Sequence, residues 1–111
     1  MGLDSIWKNK FDETATVEGD FNLCGGLFSG HGNNSFRGKV YNHMITEVTG
    51  VSLYNEVIEA IVIKRMAEKL QAVTWDSQFG FKYDIDEQEF KSVVAMFVAH
   101  AAEDHKLIGW W

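Results

Sequence analysis

The residues best suited to chemistry lie between positions 24 and 41, Cys24-Gly-Gly-Leu-Phe-Ser-Gly-His31-Gly-Asn-Asn-Ser35-Phe-Arg37-Gly-Lys39-Val-Tyr41. Five glycines surround His31, and Arg37 and Lys39 lead from them into a segment of helical pattern. Glycine at this density supplies backbone at positive φ, or backbone that another group approaches closely. Backbone N–H groups ahead of a helix start attract anions. His31, Ser35, Arg37 and Lys39 therefore form a candidate site for a small anionic ligand. Neither familiar phosphate motif is complete. From Gly32 to Lys39 there is one residue too many between the glycines for a P-loop, and Val40 stands where a magnesium-binding Ser or Thr belongs. Gly30-His31-Gly32 opens a dinucleotide fingerprint, but Ser35 occupies the third glycine position. The competing reading is an ordered surface loop whose glycines permit close packing.

A second constellation is His100-Ala-Ala-Glu103-Asp104-His105. On a helix, His100 would share a face with Glu103 and Asp104. A di-iron bundle needs two such pairs and two further acids, and the chain has no second pair. A zinc site would need a third ligand, from His31 or His43. The simpler reading places histidine at a helix C-terminus, where it favours the negative dipole end. Cys24 with His31 or His43 is the one conceivable nucleophile–base pair, and nothing in the spacing brings them together. Asp84 and Asp86 fit helix capping, and Glu89 stands where a calcium loop requires glycine. No catalytic residue, metal or cofactor is expected.

The third constellation is apolar. Val93-Val-Ala-Met96-Phe97-Val-Ala99 is hydrophobic nearly all round a helix, which calls for a central position or a covering second chain. The sequence closes on Leu107-Ile-Gly-Trp110-Trp111, and tryptophan is enriched at binding hot spots. Met96, Phe97, Trp110 and Trp111 are accordingly candidate interface residues, with own-core burial as the alternative.

Composition narrows the class. A chain of 111 residues with 46% hydrophobic and 14% aromatic content forms one globular domain. A net charge of −6, with Lys and Arg totalling 10, argues against nucleic acid. The first residues lack the basic start and apolar run of a signal peptide, and the single cysteine suits a reducing compartment; a cytoplasmic protein that does not enter membranes is expected.

The elements that must position these residues follow from periodicity. Residues 14–24 alternate, with Ala15, Val17, Phe21 and Leu23 on one face and a tight turn available at Gly19-Asp20, predicting a strand or small hairpin. Phe36, Val40, Tyr41, Met44, Ile45 and Val48 predict a helix near 36–49 with Ser35 as N-cap. Gly50 offers a left-handed stop, and Ser52 a cap for a second helix near 53–72, giving a helical hairpin with a very short link. Val73, Trp75, Phe79, Phe81, Tyr83 and Ile85 return to period two, predicting a strand or hairpin near 73–85. Asp86-Glu-Gln-Glu89 forms a capping box for a third helix near 87–104. Segregated strands and helices predict an α+β fold, a small antiparallel sheet packed with three helices. Two functional classes remain: a non-enzymatic interaction module, acting on itself or another protein through the last helix and terminal tryptophans, and a small-molecule or anion binder, or enzyme, built on the glycine loop.

Overall fold

The alternation Asp4-Ser-Ile-Trp-Lys8 sets the first strand, β1 (Asp4–Lys8), which buries Ser5 and Trp7 on one face and turns Asp4, Ile6 and Lys8 to the other. In the computed structural model, which describes residues 2–23 and 31–111, β1 is followed by β2 (Ser35–Phe36), α1 (Gly38–Thr49), β3 (Val57–Ile58), α2 (Ala60–Gln71), α3 (Ser77–Tyr83), α4 (Glu87–Ala102) and β4 (Lys106–Trp110). The fold is α+β: the strands form one antiparallel sheet in the order β2-β1-β4-β3. The register pairs Asp4 with Trp110, Ile6 with Ile108, Trp7 with Leu107 and Lys8 with Lys106.

One sheet face carries the core. Trp7 meets Phe97 edge-on with ring centroids 5.3 Å apart and lies 6.1 Å from Phe36, while Leu107, Ile58, Ile63, Met66, Leu70 and Val93 complete the buried cluster. Gly38 opens α1 because no side chain fits there: a Cβ would stand 2.2 Å from Ser5 Oγ and 3.1 Å from Leu3 Cδ2.

α1 matches its predicted span closely, but Ser35 belongs to β2 and Arg37 takes the N-cap position without a side-chain cap. Gly50 ends α1 in the left-handed region at φ 79°, as the sequence indicates. The short hairpin link does not form. Ser52 Oγ accepts from Tyr54 N–H, and Asn42 Oδ1 accepts from Leu53 N–H at 2.7 Å, so residues 51–56 make a loop pinned to α1. Val57 and Ile58, β-branched and beside β4, then pair as a strand, and α2 starts only at Ala60.

The predicted strand near 73–85 is also corrected: its centre is α3. Asp76 caps it by accepting from Phe79 N–H at 2.8 Å, and Asp84 stops it in the left-handed region at φ 51°. Trp75, Phe79 and Tyr83 are spaced by four, so the apolar pattern fits a helix face as well as a strand face. Packing decides between them, with Phe79 against Tyr83 at 4.8 Å and against Phe90 at 5.0 Å.

Residues 14–23 alternate in burial as predicted, with Ala15, Val17 and Leu23 inside, yet form no extended ladder. Among the described residues, the one bridge this segment makes is between Lys8 and Thr14. Further along, the hydrogen-bonding partners are loop and side-chain groups: Val17 N–H donates to Asn33 O, and Asn33 Nδ2 donates to the carbonyls of Val17 and Gly19. Cys24 and the loop glycines at 25, 26 and 30 lie outside the described residues. The capping of α4 follows the sequence, with Asp86 Oδ1 accepting from Glu89 N–H at 2.7 Å.

Candidate functional site

The anion-site residues are not drawn together. His31 is exposed, with Nδ1 2.9 Å from Leu23 O. Ser35 is buried and donates to Asn34 Oδ1. Arg37 Nε lies 3.5 Å from Asp4 Oδ1, so its charge is engaged across the start of β1, and Lys39 points to solvent from the first turn of α1. Ser35 shares a dent of about 320 Å³ with Ile6, Lys8, Thr14 and Asn34 rather than with the other three.

Two of the interface candidates are corrected. Met96 and Phe97 are fully buried in the chain's own core, because α4 is the central helix, packed on α2 and beneath Trp7. A helix apolar all round has here been enclosed by its own domain. Trp110 and Trp111 remain about half exposed, at 53% and 50%. As successive residues at a strand end they address opposite sides. Trp110 follows Ile108 onto the outer sheet face, whereas Trp111 lies on the Gly109 side and meets Tyr54 edge-on at 5.5 Å.

That outer face is the one the helices leave open. Lys8 and Lys106 lie side by side at one end, Ile6 and Ile108 with Val57 form the middle, and Asp4 and Trp110 occupy the other end. Val57 is 45% exposed, and Ile6 and Ile108 are only partly covered. Lys106 is held by an ion pair with Asp12, which raises its affinity for the proton.

The most unusual polar geometry is internal. α4 ends in a Schellman arrangement: His105 N–H donates to His100 O at 3.1 Å, Asp104 N–H to Ala101 O at 3.1 Å, and Asp104 takes φ 57°. Asp104 tolerates this left-handed position as Asp does more readily than most residues, and it is fastened outside by Lys64. The turn folds His105 back on His100, so that their Nδ1 atoms stand 2.8 Å apart. His100 stacks flat on Trp7, with ring centroids 4.0 Å apart and planes 7° from parallel, and its Nε2 lies 2.9 Å from Gly32 O. Gly32 has φ 101°, and a Cβ there would meet Leu23 at 2.8 Å.

The protons in this chain can be assigned. A carbonyl only accepts, so His100 Nε2 donates to Gly32. Burial pushes His100 down to about 4, so it is neutral near neutral pH and its Nδ1 is a lone pair. His105 Nδ1–H must then donate to it. Burial also lowers His105, against the opposing pull of Glu103 and Asp104. His100 does stand in the last turn of α4, as expected of a histidine at a helix C-terminus, but it shares no face with these two acids, which lie past the helix end, and its ring turns inward. Desolvation outweighs the dipole because a helix end supplies at most ~2 kcal/mol, whereas this shift corresponds to roughly 3 kcal/mol.

Both histidines stand out in the sequence, but no shared pattern pairs them, and Gly32 reads there as part of an anion loop whereas its carbonyl anchors the buried imidazole. The i, i+5 spacing across a helix end was the available signal. Among the described residues no group of three or more His, Cys, Asp or Glu side chains is placed to hold a metal ion. No described helix is long and apolar enough to cross a membrane. Compared with protein-family models, curated proteins and solved structures, the chain matches none of them.

Proposed function

We propose that the protein is a non-enzymatic interaction module that self-associates through the open face of its sheet. The observation that carries this reading is the order of residues along β1 and β4. A two-fold axis through the middle of the face would lay the Ile6, Ile108 and Val57 stripe on its copy. The same rotation would bring Lys8 and Lys106 of one chain over Asp4 and Trp110 of the other. A surface whose ends are opposite in character and whose middle is apolar complements itself, as an isologous contact requires. The pairing would add attraction between Lys8 and the Trp110 indole at the rim, while Asp4 and Lys106 keep Arg37 and Asp12 as partners within each chain.

Size is consistent with a modest dimer. A standard interface takes roughly 800 Å² per partner, about one eighth of the 6277 Å² surface of the chain. Five-residue strands span only about 17 Å, so the exposed loops beside the sheet must contribute as well.

Analytical ultracentrifugation across a concentration series tests the reading, with Val57→Lys combined with Ile108→Thr as the perturbation. Both changes lie on the outer face and leave the helix-side core alone. A concentration-dependent dimer that the double variant weakens at least tenfold, with an unchanged circular dichroism melt, is the expected result. A monomer at every concentration, or a dimer indifferent to the double variant, overturns it.

A further inference from the structure

The contact between His100 and His105 limits how many protons the two rings can hold. Gly32 O only accepts, so the hydrogen on His100 Nε2 stays in place whatever the pH. The two Nδ1 atoms stand 2.8 Å apart, a gap with room for a single hydrogen. With both rings neutral, His105 Nδ1–H fills it. One added proton is accommodated: a charged His105 keeps its hydrogen in the gap, and a charged His100 would fill it from the other side while His105 Nδ1 accepts. Two added protons are not, because both Nδ1 atoms then carry hydrogens that face each other. This limit follows from the distance and the donor inventory alone.

The surroundings decide which ring yields. His100 is fully buried, stacked on Trp7, and bonded to Gly32 O, a bond that a positive ring strengthens. His105 instead lines a cleft of about 580 Å³, with Val17 and Glu18 on one side and Ala99 and Glu103 on the other. Its backbone is fixed by the bond from its N–H to His100 O and by the start of β4, so only its side chain turns. The carboxylates that face it are Glu103 and Asp104 past the end of α4 and Glu18 opposite. Asp104 is engaged by Lys64 of α2, Lys106 of β4 is engaged by Asp12, and Trp7 and Gly32 bring no charge. Glu103 and Asp104 draw the first proton to His105, and burial opposes the second at His100. We infer that the pair is an acid-operated latch: a second proton turns the His105 ring away from His100 into the cleft, where Glu18 and Glu103 receive it, and opens His100 to water.

Nitrogen-15 NMR of the full chain labelled at histidine tests the inference, because a hydrogen shared by two nitrogens couples their nuclei. At neutral pH a scalar coupling between His100 Nδ1 and His105 Nδ1 is expected. Lowering the pH from about 7.5 to about 4 should leave that coupling intact as the first proton binds and abolish it as the second does. Solvent exchange of the His100 Nε2–H should quicken at that second step, new nuclear Overhauser contacts should join the His105 ring to Val17 and Ala99, and the amide spectrum should remain that of a folded chain. His105→Asn is the control. Its amide stands at the Nδ1 position and can donate to His100 or, turned over, accept from it. In this variant His100 should take up its proton without the quickened Nε2–H exchange. Absence of the coupling at neutral pH, or its persistence with both rings charged, overturns the inference. So does its loss only when the whole chain unfolds, or an equal quickening of exchange in His105→Asn.

Discussion

Acidification should destabilise this protein well before its carboxylates protonate, and the reason is His100. Its ring is buried, stacked on Trp7 and bonded to Gly32 O and His105, and its folded value lies near 4 against 6.5 for an unperturbed histidine. The unfolded chain therefore binds a proton at a pH where the folded chain still refuses one. The stabilisation is complete above the unfolded value, is lost progressively as pH falls, and is exhausted below the folded value. Between about pH 7 and about pH 5 the loss amounts to about 2 kcal/mol for a single site. His105 adds to the loss, since burial lowers it in the same direction. Urea unfolding followed by tryptophan fluorescence at the two pH values measures the effect, and His100→Gln should flatten the profile while lowering stability at neutral pH. A wild-type stability that changes by less than about 0.5 kcal/mol over this interval, or an equal slope in the variant, would refute the proton assignment.

Two further substitutions probe how the framework is held. Gly38→Ala should destabilise by about 1–3 kcal/mol, because the added methyl meets Ser5 Oγ and Leu3. Thermal melts should show Ser5→Ala recovering part of that loss, since it removes the oxygen that the methyl meets. Asp86→Ala should remove about 1 kcal/mol by leaving Glu89 N–H without its cap, and chemical denaturation should show Asp86→Asn retaining most of it.

Which features were readable from sequence depended on whether the deciding interaction was local. α1, the left-handed Gly50 and the Asp86 cap of α4 each rest on groups within a few residues of one another, and each appears where the pattern places it. The α+β class follows from the segregation of patterns. The strands themselves were not legible. β1 and β4 owe their pairing to partners at opposite ends of the sequence, and five residues hold too few alternations to stand out. Residues 73–85 satisfied two periods at once, and Phe81, 91% exposed, is the position where the strand pattern fails. At the candidate sites, the sequence leaves Trp110 and Trp111 between an interface and the chain's own core, and their half-exposed division between two faces depends on the strand. The His100–His105 pair was hidden because a turn, rather than a shared helix face, brings the rings together.

The placement of β1 and β4 side by side in the middle of the sheet also constrains how the molecule is made. Asp4 and Trp110 are register partners, so the central seam of the sheet joins segments far apart along the chain, the one synthesised well before the other. Until β4 is synthesised, β1 has only two-residue β2 and the Thr14 bridge along one edge, and β3 has no strand beside it. Such a nascent chain exposes Trp7 and one unpaired strand edge until β4 emerges, the condition under which chaperones engage unfinished sheets. Closing a loop of this length also slows folding, because chain entropy is lost before the long-range contacts form. Final assembly is therefore a late, all-at-once event, with α1, α2 and α4 able to form while the strand that completes the sheet is still awaited.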